Sequence, residues 1–222
     1  MKRPIQSYKT LIFDCDGVVL DSNAVKTQAF YDTALEFGRD AAERLVEYHK
    51  ANGGVSRFKK FDYFLANIVT ESKDFPTHDE LVNKYAKMVK QGLLESRIEP
   101  NLEIIKEVTP NSKWLIVSGG AQDELRWVFR EKGIDEMFEG GIFGSPDSKE
   151  EILAREIGQG NIVEPALFIG DSKYDYLAAN KYDIDFLFVK QWTEFSGWNE
   201  FFHSHNIVVC ERLSDMLAID FE

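Results

Sequence analysis

Asp14 and Asp16, one residue apart and followed by Gly17, are the first residues whose types and spacing suit chemistry. On an extended backbone, side chains two apart point the same way, so both carboxyls can aim at one spot. Acids held that close repel each other unless a cation or a shared proton relieves them. Gly17 permits a tight turn, or a close approach that a side chain would block. Further on, Ser118-Gly119-Gly120 offers a hydroxyl and backbone N–H groups that can approach an anion, Lys149 offers a cation, and Asp171-Ser172 with Asp175 offers more acid. Acids clustered without histidines or thiolates suit a hard cation, for which Mg²⁺ with oxygen ligands and retained waters is the natural candidate. An ionised Asp14 is a nucleophile. A phosphate ester, its natural target, would repel it, and Mg²⁺ with Lys149 would neutralise the phosphoryl oxygens as charge shifts.

Something must bring these residues together, and the chain supplies it. Thr10-Leu-Ile-Phe13, an apolar run ending at Asp14, reads as a strand buried on both faces of a parallel sheet. Trp114–Ser118, Gly141–Gly144, Ala166–Gly170, Phe186–Val189 and Ile207–Val209 read as five more strands, alternating with helical stretches. Ser148-Lys-Glu-Glu151 is a capping box opening a helix through Ile152, Leu153 and Ile157. In such sheets ligands sit beyond the carboxyl ends of the strands, where every candidate above falls.

Residues 22–95 carry helices and no strand signal. Phe30, Ala34 and Phe37 keep helical spacing before Gly38, and Leu45–His49 gives a short helical piece. Asn52-Gly53-Gly54-Val55-Ser56-Arg57 is a loop, after which Phe58, Phe61, Leu65 and Ile68 line one helix face. Lys59 and Lys60 are expected to be solvated. Thr77-His-Asp-Glu80 caps a helix with Leu81, Tyr85, Met88 and Val89 on its buried side. The expected organisation is an α/β core of residues 1–21 and 96–222 with an all-helical domain, 22–95, inserted after the first strand.

A net charge of −12 over 222 residues argues against nucleic acid or an anionic membrane as partner, and no run is long enough to span a bilayer. Cys15 and Cys210 both lie in strand-like runs and form no disulfide framework, which predicts a cytoplasmic setting. Cys15, between two carboxylates, is expected to be a small buried hydrophobe with a raised thiol pKa. The aromatic stretch Gln191–Asn206 reads as a helix packed on the sheet.

The chain resembles the haloacid dehalogenase superfamily, in its phosphatase branch with a helical cap inserted after the first strand. Four motifs carry the resemblance: DCDG at Asp14–Gly17, the serine of VSGG at Ser118, the lysine before EEIL at Lys149, and GDSKYD at Gly170–Asp175. The resemblance implies a Rossmann-like parallel core in which Asp14 attacks phosphorus to form an aspartyl-phosphate. Asp16 would protonate the leaving alcohol and then activate water, for which it needs a raised pKa. Mg²⁺ would be held by Asp14, the backbone carbonyl of Asp16, and Asp171, with Asp175 a ligand or a support. Ser118, Gly119 and Lys149 would bind the phosphoryl group, and Arg57, in the cap loop, would meet a second anionic group of the substrate. Two positions depart from the pattern: Lys26 stands where relatives commonly carry histidine, and Glu150 where a proline often follows the motif lysine.

The leading expectation is a Mg²⁺-dependent phosphatase acting on a small phosphorylated metabolite, on the scale of a sugar phosphate or phosphoglycolate. A sugar phosphomutase is the nearest alternative, and Lys26 in place of histidine counts against it. A catalytically silent phosphate-binding regulator is the alternative outside enzymes, and the complete acid, serine and lysine set counts against that.

Overall fold

Strand β1 (Thr10–Phe13) is wholly buried and pairs in parallel on both edges, with β2 (Lys113–Ala121) and β4 (Ala166–Gly170). With β3 (Ile142–Ser145), β5 (Asp185–Val189) and β6 (Val208–Cys210) they form one parallel sheet in the order β3-β2-β1-β4-β5-β6. The computed structural model describes residues 2–69 and 76–219; residues 70–75, inside the expected insertion, and 220–222 lie outside them. The register sets Phe13 opposite Ile116 and Ile169. Asp14, Ser118 and Asp171 therefore emerge within a residue or two of each other along three adjacent strands. The strand order reverses direction between β1 and β4, and ligands collect at such a switch point.

The pleat sends Leu11 and Phe13 to one side of the sheet and Ile12 to the other, and the two cores follow from that alternation. On the first side pack α5 (Leu102–Val108), through Leu102 and Ile105, and α6 (Gln122–Glu131), through Leu125, Val128 and Phe129. On the second lie α7 (Lys149–Gly158), α8 (Lys173–Lys181) and α9 (Trp198–Ser204), contributing Ile152, Leu153, Ala178, Ala179 and Phe202. The aromatic stretch does pack on the sheet, with Phe202 against Phe186 and Phe188.

Between β1 and β2 come α1 (Asn23–Ala34), α2 (Arg39–Ala51), α3 (Arg57–Asn67) and α4 (His78–Glu95), packed around Phe30, Phe61 and Tyr85. Helix α2 is longer than Leu45–His49 because only Ala42, Leu45 and His49 turn inward, a narrow stripe on an otherwise polar helix. Helix α3 corrects the sequence more sharply. Its buried face is Arg57, Lys60, Phe61 and Phe64, and Lys60 is only 2% exposed rather than solvated. On α4, Leu81, Tyr85, Val89 and Leu93 are buried while Met88 is 42% exposed. The capping boxes at Thr77 and Ser148 form as expected, and Ser172 with Asp175 forms a third.

Candidate active site

Asp14 leaves the end of β1 with its backbone N–H donating to the Ile169 carbonyl at 2.9 Å. Its Oδ1 accepts from the Cys15 N–H at 2.7 Å and lies 3.0 Å from Lys149 Nζ. Oδ2 has no hydrogen-bond partner among the described residues, so one oxygen is anchored and the other is available. Lys149, the first residue of α7, is 1% exposed and also donates to Asp175 Oδ1. Asp175 Oδ2 closes the cap of α8, accepting the Ser172 N–H at 3.0 Å and its hydroxyl at 2.6 Å. Asp171 follows β4 and accepts from Asn23 Nδ2 at 2.8 Å, while its carbonyl accepts from the Thr193 hydroxyl at 2.5 Å. Ser118 is fully buried and accepts from the Gly120 N–H at 3.1 Å. The strand tips thus bring Asp14, Lys149, Asp171 and Asp175 into one buried cluster, with Ser118 and Gly119 on the neighbouring strand.

Carboxylate oxygens of Asp14, Asp171 and Asp175 lie within 4.8 Å of one another. Burial, then Asp175 and Asp16 against the pull of Lys149, pushes Asp14 up to about 7. Burial, then Asp14 and Asp175, pushes Asp171 well above the carboxylate range. Against the effect of burial, Asp14 and Asp175 hold Lys149 above its ordinary value. One lysine among three buried acids leaves positive charge in deficit. An all-oxygen set in that condition fits a hard divalent cation, and Mg²⁺ fits better than a thiolate- or imidazole-seeking metal. Gly17 belongs to the same fit: with φ +78°, it sits where a Cβ would come 2.1 Å from Asp171 Oδ2.

Asp16 does not have the raised pKa expected of an acid. It turns from the cluster toward α1, where Oδ1 accepts from the Ser22 hydroxyl at 2.5 Å and Oδ2 accepts from Lys26 Nζ. Although burial works the other way, Lys26 and Ser22 hold its carboxyl below the ordinary range. Cys15, as expected, is buried and inert, its thiol pushed up first by burial and then by Asp16.

The loop before α3 lies directly over this cluster. A Cβ on Gly119 would come 2.1 Å from the Gly54 carbonyl oxygen, and one on Gly54 would meet Ser172 Oγ at 2.9 Å. Only glycine-to-glycine contact allows the loop so close to the strand tips. Beneath it is a cavity of about 60 Å³ that reaches Asp14, Asp16 and Asp171 from below and Lys26, Arg57 and Lys60 from above. Arg57 stands at this cavity, but its terminal nitrogens are taken by Glu124 of α6, Nη1 to Oε2 at 3.0 Å and Nη2 to Oε1. Its guanidinium also sits 4.6 Å from the centre of the Tyr85 ring. Lys60 Nζ meets His49 Nδ1 at 2.7 Å, His49 Nε2 is 3.0 Å from Thr27 Oγ1, and the Thr27 hydroxyl donates to Glu194 Oε2 at 2.5 Å.

The family model for haloacid dehalogenase-like hydrolases matches residues 8–183. The chain belongs to the haloacid dehalogenase-like hydrolases. Among solved structures, this hydrolase is similar to a haloacid dehalogenase-like family protein from Streptococcus pneumoniae, with 21% identity over 96% of this chain and 99% of the other (TM-score 0.70). It is similar also to a predicted phosphatase from Clostridium acetobutylicum, 18% identical over 95% and 96% of the two chains (TM-score 0.72). A β-phosphoglucomutase from Clostridium difficile shares 20% identity over 96% and 93% (TM-score 0.68). At these identities the likeness concerns the fold. No curated protein matches the chain. Among the described residues no helix is long and apolar enough to cross a membrane.

Sequence reasoning missed Asn23, Thr27, His49, Lys60, Thr193 and Glu194. Residues 192–195 had signalled only aromatic packing, yet Thr193 holds the backbone of Asp171. A helical wheel of α3 places Lys60 beside Phe61 and Phe64 and was the one signal available for it.

Proposed function

We propose that this hydrolase is a Mg²⁺-dependent phosphatase of small phosphorylated metabolites that works through an aspartyl-phosphate on Asp14. The observation that carries the reading is Asp14 itself, with Oδ1 fixed by Lys149 and the Cys15 N–H and Oδ2 left available. Asp14 Oδ2 forms the bond to phosphorus while the bond to the ester oxygen breaks. Lys149 and the backbone around Gly119, with Ser118, take the phosphoryl oxygens. Asp14, the Asp16 carbonyl and Asp171 would hold Mg²⁺, with Asp175 supporting through Lys149 and Ser172. When bound, the ion lowers the repulsion between attacking carboxylate and phosphate and stabilises charge on the transferring group.

Asp16 passes the proton. At rest it is a carboxylate on Lys26, ready as the base for the second half-reaction. A monoester with a second pKa near about 6 brings both charge and proton into the cavity, and that added negative charge favours protonation of Asp16. The proton then goes to the leaving alkoxide, and Asp16 next takes one from the water that attacks the aspartyl-phosphate. Residues 22–95 act in this reading as a cap over the site.

The test is release of p-nitrophenol from p-nitrophenyl phosphate, with and without Mg²⁺, beside Asp14→Asn. The expected result is metal-dependent release in the natural chain and a loss of about a thousandfold or more in the variant. Full release by Asp14→Asn, or release indifferent to Mg²⁺, would overturn the reading.

A further inference from the structure

Helix α3 turns two cations into the cavity, and among the described residues only one of them has a carboxylate partner. Arg57 has its terminal nitrogens on Glu124. Lys60 is as deeply buried, yet its only hydrogen-bond partner among the described residues is the His49 ring. The Phe30 ring, centred 5.4 Å from Nζ, is its other electron-rich neighbour. His49 is oriented from its far side. The Thr27 hydroxyl gives its hydrogen to Glu194, so Thr27 Oγ1 can only accept from His49 Nε2–H. The ring then meets Lys60 with a lone pair at Nδ1, to which Lys60 must donate. Among the described residues, two N–H donors of the ammonium remain without an acceptor.

A buried cation with unmatched donors is costly, and a methionine or leucine would fill the space against Phe30 without that cost. The arrangement makes sense if the missing counter-ion arrives with the substrate. Burial, with Lys26 nearby, pushes Lys60 down to about 7, the direction expected of a lysine lacking an internal partner. The acids lining the cavity bond elsewhere: Asp16 to Lys26 and Ser22, Glu194 to Thr27 and Lys50, Asp14 to Lys149, and Asp171 to Asn23.

We propose that Lys60 is the specificity residue of this site, binding a carboxylate carried by the leaving group of the phosphate monoester. The inference rests on the phosphatase reading above and narrows its substrate to small acid-bearing esters. A carboxylate is the smaller of the two acid groups, and the cavity shared by Asp14 and Lys60 is about 60 Å³.

The experiment compares kcat/KM for four esters with Mg²⁺ present: 2-phosphoglycolate, the neutral 2-hydroxyethyl phosphate, the cationic phosphoethanolamine, and ethanediol bisphosphate. The natural chain is expected to prefer the carboxylate over the neutral ester by about ten- to a hundredfold, the worth of one charge-assisted hydrogen bond. Lys60→Met should bring that ratio to within about threefold of one, whatever happens to the absolute rates. The natural chain needs no variant to refute the idea: equal rates on acid and neutral esters overturn it while leaving the phosphatase reading intact. Preference for the bisphosphate overturns the carboxylate assignment. Hydrolysis of none of the four esters, nor of p-nitrophenyl phosphate, removes both readings together.

Discussion

Lys26 donates a hydrogen bond to the carboxylate of Asp16, and the two side chains are only 9% and 14% exposed. Lys26 therefore acts directly on the proposed proton carrier. It holds Asp16 ionised at neutral pH, which favours its role as base and delays its role as acid. Lys26→Met should let the Asp16 pKa rise. The acidic limb of the pH–kcat profile for p-nitrophenyl phosphate, whose leaving group needs little protonation, is then expected to move to higher pH. A limb that stays in place in the variant would show that Asp16 does not set it.

Asp171 gives the metal prediction. Its carboxyl is raised by burial and by Asp14 and Asp175, so the folded, metal-free chain binds a proton there that the unfolded chain has lost. That contribution is present at low pH and fades as pH climbs from about 4 through the raised folded value. Mg²⁺ should reverse the loss. At a concentration of 100 times its dissociation constant it adds about 2.7 kcal/mol, visible as a higher Tm at pH 7.5. Asp171→Asn is expected to raise the metal-free Tm, because one buried charge is gone, and to abolish most of the Mg²⁺ response. A variant that responds to Mg²⁺ like the natural chain would exclude Asp171 as a ligand.

Arg57 and Glu124 join α3 to α6 beside the sheet, and their side chains are 4% and 12% exposed. Removing one partner of a buried pair leaves the other uncompensated, at about 3–5 kcal/mol. Here the chain has a cheaper escape than unfolding, since lifting α3 returns the orphan to water. Glu124→Gln should therefore speed amide hydrogen exchange in the Asn52–Ser56 loop and raise KM more than it lowers Tm. Exchange confined to natural rates would mean that the loop is held by the Gly54–Gly119 contact alone.

The sheet and the acids at its strand tips were legible because both depend on local signals. An apolar run ending in Asp14, or Ala166–Gly170 ending in Asp171, marks a buried strand and its carboxyl end without reference to the rest of the chain. The cavity roof was not legible in the same way. Lys26, His49, Lys60 and Glu194 are polar residues on helices or loops, and such residues are usually solvated. Lys26, His49 and Lys60 are buried where the loop before α3 meets the strand tips, beside the Gly54–Gly119 approach and the Arg57–Glu124 pair, both long-range. Arg57 shows the limit clearly. Its place at the cavity was implied only by the resemblance of its loop, and its partner, 67 residues away, had no signal at all.

Lys60 carries the last prediction, on stability. Its pKa is near 10.5 when unfolded and falls to about 7 in the folded chain. Between those values the unfolded chain holds a proton that the folded chain does not, so stability rises with pH across that window. Below pH 7 both states are protonated and the cost of burying the cation is felt in full. Lys60→Met removes that cost but leaves His49 Nδ1 without a donor, at about 1–3 kcal/mol, so the net change at one pH is a poor guide. The slope is the better one. In urea titrations from pH 6.5 to 10, the natural chain should gain on the variant by an amount on the order of a few kcal/mol. Parallel curves would mean that Lys60 keeps an ordinary pKa and has a counter-ion within the protein, which would also remove the reason to look for one in the substrate.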